Sequence, residues 1–554
     1  MSKPALAKLR APCSGSYAIA LLRRCAALAV CRFRQAASAL TCVVAVSAAQ
    51  AQDPIPGSLD LSFGGGTGRI ANLAIGTGND AVRALGLQPD GKIVLAGECL
   101  DGNYHICVAR LNDDGTLDTS FDGPDGNGNG KFILRISANG GGARTVVLQP
   151  DGKIVLAGYC IEENYHFCIA RLNVDGTFDL SFNGPAGNGG GRFVLPMTVY
   201  GDVAAAVALQ PDGKILLTGQ CTGSTNQDFC AARLRPDGTL DKSFAGPSGD
   251  GGGKFLWSVG TGYDYATALA LQPDGKIVLA GYCGASTNAD FCLTRLSTDG
   301  TLDTSFQGPG GTGDGKFLLP IGTGNGYATA IAMQPDGKIM LAGYCGDGIV
   351  HFCVARLRSD GSLDTSFGGP SGNGDGRFLL PIGTGNGYAT AISLQSDGKI
   401  VSAGECLSNG KSYFCTARLN TDGSLDTSFD GSSGSANGGF LLPIGPYMDR
   451  GTTIAVQPDG KIVVAGECGN GTNNDFCVAR LHGGPFGAKQ CSLDIDGDGK
   501  VSAGTDMLIG TRVALGMTGS AVLSGIVFAP HATRTTWPDI RTYLVSQCGM
   551  VIRP

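Results

Sequence analysis

Charge is scarce in this chain: Asp, Glu, Lys and Arg make up 16% of its 554 residues, and the formal net charge is -6. No basic stripe runs along it, which excludes a nucleic-acid binder, because phosphate recognition needs clustered cations. Aromatics are sparse at 7%, and the chain holds five histidines. Gly-x-Ser-x-Gly, His-Glu-x-x-His and nucleotide-loop patterns are missing, so no familiar catalytic constellation presents itself. Beyond residue 52 no apolar run reaches the ~20 residues that span a bilayer. What the chain has in excess is glycine, 90 residues, without the every-third-residue period of collagen. Apolar content of 42% is enough for a core and excludes global disorder.

The first stretch differs from the rest, being rich in Ala, Leu and Arg and nearly free of acids. Arg23, Arg24, Arg32 and Arg34 precede an apolar segment from Ala36 to Ala49, followed by the small-x-small pattern Ala49-Gln50-Ala51. Residues 1–51 therefore read as a secretory signal peptide cleaved after Ala51. A membrane anchor is the alternative, but the segment is too short to span. Export predicts a secreted, periplasmic or cell-surface protein without a membrane span after cleavage. Four of the 20 cysteines (Cys13, Cys25, Cys31, Cys42) lie in this leader, which leaves 16 for an oxidising compartment.

Past the leader the chain copies itself. Gln-Pro-Asp-Gly-Lys-Ile, or a near copy, recurs with its Asp at 90, 151, 212, 274, 336, 397 and 459, at intervals of 61 or 62. A second block, Leu/Phe-Asp-x-Ser-Phe, recurs with its Asp at 60, 118, 179, 241, 303, 364 and 426, out of phase with the first. Seven units result. Unit five predicts four strands: Tyr327 to Met333, Lys338 to Tyr344, Phe352 to Leu357 and Phe378 to Ile382, with Pro335-Asp336-Gly337 turning between the first two. Such a pattern predicts an all-β fold, a seven-bladed β-propeller. The last unit lacks its fourth strand, and Leu59 to about Ile75 would supply it. A closed ring then removes a free sheet edge, which a linear stack would not. The two blocks resemble those of the bacterial delta-60 repeat family over residues 57–482. That resemblance implies a propeller-like repeat and no agreed activity.

Each unit holds one cysteine pair: Cys99/Cys107, Cys160/Cys168, Cys221/Cys230, Cys283/Cys292, Cys345/Cys353, Cys406/Cys415 and Cys468/Cys477. One ends the second strand and the other begins the third, so each pair can face across a hairpin at disulfide distance. Zinc would want four ligands and Cys-x-x-Cys spacing. Arg110, Arg171, Arg233, Arg295, Arg356, Arg418 and Arg480 recur in the third strand. Paired with Asp60, Asp118, Asp179, Asp241, Asp303, Asp364 and Asp426, they are expected to hold blades together rather than bind a ligand. Two residues before each second cysteine stand His105, His166, Asp228, Asp290, His351, Tyr413 and Asp475, expected on a solvated rim and too far apart to share a metal. The Gly-rich loops, such as 122–130, read as flexible connections.

After a linker at 483–490, residues 491–554 form a different module. Asp494, Asp496 and Asp498 stand at positions 1, 3 and 5 of an EF-hand-type calcium loop, with Gly499 at 6. Lys500 would ligate through its carbonyl and Ser502 directly or through water. The usual acid at position 12 is Thr505, and Asp506 at 13 is the shifted final ligand. Met507 to Leu515 and Trp537 to Ser546 predict amphipathic helices, and Cys491 and Cys548 bracket the module as a further pair. The stretch resembles a dockerin-like type I module. A dockerin carries two such loops and one is visible here, which counts against cohesin binding.

These observations favour an exported, non-enzymatic, monomeric propeller that serves as a binding or surface-display scaffold for a glycan or a cell-surface protein, with calcium in its C-terminal loop. The alternative is a polysaccharide-active hydrolase or lyase with its site at one mouth of the ring. Convergent His, Asp, Glu or Tyr at that mouth would favour the enzyme, and a bland ring would favour binding.

Overall fold

The Pro-Asp-Gly turns set the strand order. The computed structural model describes residues 54–484 (save 127–128, 188–189, 224–225, 248, 250–251, 286–287, 310–313, 347, 371, 373–374 and 432–437), then 495–496, 505–514, 517–529, 532 and 534–546. In unit five the Gly337 N–H donates to the Gln334 carbonyl at 2.9 Å while Gly337 takes φ 83°, a conformation that glycine adopts freely. The turn reverses one strand onto the next. In the first blade the strands are Asp80–Leu87, Ile93–Asp101, Asn103–Leu111 and Lys131–Leu134, antiparallel in chain order. Seven such four-stranded sheets form a seven-bladed β-propeller.

The last sheet is built from both ends of the repeat region. Asp449–Val456, Ile462–Gly469 and Asn474–Leu481 are joined by Arg69–Leu73, which runs antiparallel to the third of them with Arg69 opposite Ala479 and Ile70 opposite Val478. Leu59 adds a bridge to Leu481. The ring closes as the phase offset required, and Arg69–Leu73 covers the edge that Asn474–Leu481 would otherwise leave bare.

Apolar faces of neighbouring sheets pack on each other: Val94 and Val108 of the first blade meet Ile154 and Leu156 of the second. The phenylalanine of each Leu/Phe-Asp-x-Ser-Phe block is fully buried, from Phe63 through Phe429. Burying one such side chain stabilises by ~1.5–3 kcal/mol. Above each lies the guanidinium of the recurring arginine, 4.3–4.9 Å from the ring centroid. Its Nε donates to the block's aspartate at 2.7–2.8 Å in all seven blades. Its Nη1 reaches a turn carbonyl in the next blade, for example Arg233 to Thr298 O and Arg356 to Thr421 O, each at 2.5 Å. The pairs therefore join blade to blade, and Arg480 with Asp60 joins the two ends of the ring.

All seven repeat cysteine pairs are disulfides: Cys99–Cys107, Cys160–Cys168, Cys221–Cys230, Cys283–Cys292, Cys345–Cys353, Cys406–Cys415 and Cys468–Cys477, with Cα atoms 5.2–5.8 Å apart. Their placement corrects the expectation that the partners face each other where the third strand begins. Each second cysteine lies inside the third strand and stands opposite a glycine of the second: Cys107 opposite Gly97, Cys168 opposite Gly158, Cys230 opposite Gly219 and Cys292 opposite Gly281. Cys353, Cys415 and Cys477 face Gly343, Gly404 and Gly466 in the same way. The first cysteine is two residues further along its strand, as Cys99 opposite His105 and Cys160 opposite His166, so every bridge runs diagonally across the ladder. The physical reason is the pleat: residues two apart share a face, so the diagonal neighbour is within reach of a bridge. Disulfides at this density fit an oxidising compartment. No described helix is long and apolar enough to cross a membrane.

In the C-terminal module, helices Asp506–Ala514, Ser520–Leu523 and Trp537–Ser546 bury Ile495, Ile509, Val513, Val522, Ile540 and Leu544 among themselves. Residues 1–51, the Cys491–Cys548 pair and the ligand positions Asp494, Asp498, Lys500 and Ser502 lie outside the described residues.

Candidate functional site at the channel mouth

Each innermost strand carries one extra residue. The ladder skips a position between Val82 and Ala84, Ala143 and Thr145, Ala204 and Ala206, and at the same place in the other four blades. Such a bulge re-aims a side chain. Opposite it every second strand has a glycine, from Gly97 to Gly466, where a Cβ would sit 1.8–2.0 Å from a carbonyl oxygen of the inner strand. The bulged residues are Arg83, Arg144, Ala205, Thr267, Thr329, Thr390 and Thr452. The four threonine hydroxyls donate to carbonyls of the following blade, among them Thr267 to Ala328 O at 2.8 Å and Thr452 to Val82 O at 2.7 Å, across the ring closure. Blades one and two have arginine there instead, and blade three has alanine.

Those substitutions break the sevenfold symmetry on the face that bears the disulfides. Round the channel runs a collar made from the inner and second strands. Over blades four to six it is tyrosine: Tyr265 stacks on Tyr282 at 4.6 Å between centroids, Tyr282 meets Tyr327 edge-on at 4.9 Å, and Tyr327, Tyr344 and Tyr388 continue the alternation. From blade six to blade two it becomes an ion-pair chain. Arg450 Nε donates to Glu405 at 2.8 Å, Arg450 and Arg83 approach Glu467 at 3.6 and 3.8 Å, and Arg83 Nε donates to Glu98 at 2.9 Å. Arg144 stands 3.6 Å from Glu98 and over the ring of Tyr159, whose hydroxyl donates to Glu98 at 3.0 Å.

Burial by itself raises the Glu98 carboxyl, but the charges of Arg144 and Arg83 outweigh it and hold the group below the ordinary glutamate value. Burial first, then the Glu98 charge, pushes the Tyr159 phenol well up. Burial and neighbouring tyrosines raise Tyr282 and Tyr344 likewise.

The collar is interrupted at blade three, where Val203, Ala205 and Gln220 are short or neutral. There a cavity of about 740 Å³ opens, bounded by Arg83, Arg144 and Arg450 and by Tyr165, Tyr200 and Gln227. Tyr165 and Tyr200 are 49% and 56% exposed, so they offer ring surface at its edge. The Gln227 Oε1 is buried and has no hydrogen-bond partner among the described residues.

The residues picked out before each second cysteine are not a solvated rim. His105 and Asp475 are buried, and the other five are half-buried. The reason is the seam between blades: His166 Nδ1 meets Asp202 Oδ2 of the next blade's inner strand at 3.3 Å, and the Asp475 charge acts on Asp80 across the ring closure. Asp202 in turn accepts the N–H groups of Met197 and Thr198, and Asp80, Asp264 and Asp449 cap the equivalent loops. The mouth was named from the sequence but its residues were not, because Arg83, Arg144, Arg450, Glu98, Glu405 and Glu467 lie in the variable positions of strands that otherwise look like core. Comparing the units at the bulged inner-strand position, where four threonines give way to Arg83, Arg144 and Ala205, is the signal that finds the first two.

In the C-terminal loop two predicted ligands are described. Asp496 and Asp506 are both fully buried, and Asp506 Oδ1 accepts the N–H groups of Ile495 and Asp496 at 2.6 and 3.0 Å.

Segments 88–121, 149–182, 210–244, 272–306, 334–367, 395–429 and 457–483 match a family model described as "Domain of unknown function (DUF5122) beta-propeller". No curated protein matches the chain. Similar solved structures include a streptogramin B lyase (13% identity, 75% of this chain and 97% of that one, TM-score 0.43). Another is an ulvan lyase bound to -[GlcA(1-4)Rha3S]- (10% identity, 75% and 96%, TM-score 0.41). A third is the β-propeller domain of the Trilobed protease from Pyrococcus furiosus, which has an open velcro topology (11% identity, 72% and 95%, TM-score 0.35).

Proposed function

We propose that this chain, which belongs to a β-propeller repeat family, is an exported binding module that takes its ligand at the channel mouth of the disulfide-bearing face. One observation carries the reading: near-identical blades diverge at that mouth, where a cavity opens between the tyrosine arc and the ion-pair chain. Repetition serves the scaffold, and departures from it concentrate where a ligand would sit. A glycan or a cell-surface protein is the partner class.

A polysaccharide-active enzyme is the second reading, since Tyr159, Glu98 and Arg144 do converge there. Their protonation opposes it. A general base must be able to lose its proton near working pH, and a general acid must keep one. Tyr159 is pushed up while already donating to Glu98, and Glu98 is held as a carboxylate by two arginines.

We also assign calcium to the C-terminal loop, with Asp494, Asp496, Asp498, Lys500, Ser502 and Asp506 as its ligands. Two of these acids, Asp496 and Asp506, are fully buried, and Asp506 folds back onto the Ile495 and Asp496 N–H groups, which supports an ordered acidic loop of the kind that holds calcium. Leader cleavage, export and a Cys491–Cys548 disulfide belong to the same reading.

The test is a glycan-array and cell-surface binding screen of the mature protein with and without calcium, repeated with Tyr165→Ala/Tyr200→Ala. Binding that the double variant abolishes supports the mouth. Turnover of a bound polysaccharide would replace the binding reading by the enzymatic one.

A further inference from the structure

Resting on the mouth as the binding site, we infer that its ligand is an acidic saccharide, a chain of sugar rings carrying carboxylate or sulfate groups. The inference comes from how the ion-pair chain is oriented. The arginines expose 21% (Arg83), 37% (Arg144) and 53% (Arg450) of their side chains, while Glu98, Glu467 and Glu405 expose 9%, 13% and 15%. All three arginines line the cavity and none of the three glutamates does, while the acid in its lining, Asp202, is 1% exposed. The surface a ligand meets is therefore the positive end of every pair, within a chain whose formal net charge is -6.

The hydrogen-bond inventory agrees. A guanidinium has five N–H donors and no acceptor. Arg83 gives Nε and Nη2 to Glu98, whereas Arg144 approaches Glu98 only at 3.6 Å, beyond hydrogen-bond length. Among the described residues its guanidinium N–H groups make no hydrogen bond, leaving them to a planar anion, which arginine grips with two parallel bonds. The glutamates fix the arginines in place and cancel their long-range field, so the site favours a single anionic group in contact over a polyanion at a distance. Tyr165 and Tyr200 beside Arg144 supply amphipathic rings for the apolar face of a sugar. Gln220 and Gln227 supply neutral hydrogen-bonding groups suited to hydroxyls.

Calorimetric titration of the mature protein tests this with three probes: a galacturonate hexasaccharide, its fully methyl-esterified form, and a chondroitin sulfate hexasaccharide. Galacturonate should bind at least about tenfold more tightly than its ester, as expected for one charge-assisted pair. The sulfate probe tells which anion is preferred. Arg144→Gln should erase the preference for acid over ester, bringing the acid's affinity down to that of the ester. Equal binding of acid and ester, or binding of none of the three at millimolar concentration, overturns the acidic-saccharide inference. Ala205→Trp, which sets a bulky ring in the cavity, should abolish acid and ester binding alike. If both persist in that variant, the mouth reading itself fails, an outcome distinct from loss of the charge preference. Disulfide content and melting temperature of each variant establish that the propeller is folded.

Discussion

Replacing Arg480 with methionine should open the propeller at its seam. Arg480 is 1% exposed, and Asp60, its partner from the other end of the repeat region, is 3% exposed. The side chain donates through Nε to Asp60 at 2.8 Å, through Nη1 to Asp113 Oδ1 at 2.8 Å and through Nη2 to Ser62 Oγ at 3.0 Å. Burial alone would raise the Asp60 carboxyl. The Ser62 hydroxyl and N–H, then Arg480 and Lys461, outweigh burial and bring it from 3.8 to about 2. That shift corresponds to about 2 kcal/mol of folded-state preference for the carboxylate. Removing one partner of a buried pair also leaves the other uncompensated, so the expected loss is about 3–5 kcal/mol. The sign with pH follows from the direction of the shift. A folded value below the unfolded one adds stability that is present above pH ~4 and lost as pH falls towards 2. Arg480→Met should therefore lower the urea midpoint at pH 7 and flatten part of the acid limb of the stability–pH curve. Arg233→Met, which removes the same pair inside the ring, is the control for closure. If Arg480→Met costs less than about 1 kcal/mol, or leaves the acid limb intact, the seam is not held by this pair.

Three other outcomes are expected. Gly281→Ala would place a Cβ 1.8 Å from the Tyr265 carbonyl, so the bulge must shift; the variant should melt lower and lose the Tyr265–Tyr282 stacking signature in near-ultraviolet circular dichroism, and an unchanged spectrum would contradict the role of the glycine. Asp80 is buried and its carboxyl is raised, by burial first and also by the Asp475 charge, against the Ile75 and Gly76 N–H groups that lower it. A raised folded value destabilises at neutral pH and is relieved as pH falls towards 4; Asp80→Asn, which keeps an acceptor oxygen, should raise the melting temperature at pH 7 and match the parent at pH 3.5, and a lower melting temperature at pH 7 would refute this. Cys283 and Cys292 are nine residues apart, so their bond closes a short loop worth ~2–3 kcal/mol on the entropy model. The double serine variant should still fold and show six disulfides in the repeat region by mass spectrometry, with a lower urea midpoint; complete loss of folding would show that the bridge does more than staple a hairpin tip.

Sequence alone determined the blade count, the ring closure and the seven local disulfides, because each depends on contacts that the repeat writes out in register: two blocks out of phase, one cysteine pair per hairpin, one Arg and one Asp per unit. It also located the arginine–aspartate pairs, since identical residues in every blade have identical neighbours. Only the tertiary structure decided where the chain departs from its own symmetry. Arg83, Glu98, Arg144, Arg450 and Glu467 are far apart in sequence and become one chain of charge because consecutive blades meet round a common axis. The inner-strand bulge that turns Arg83 and Arg144 to the mouth is a backbone irregularity with no composition of its own. The diagonal run of each disulfide, with Cys168 or Cys415 seated opposite a glycine, likewise depends on a strand register that cysteine spacing does not specify. The seam that buries His105 and Asp475 exists only once neighbouring blades are packed, and so these residues looked like solvated hairpin tips until the ring was assembled.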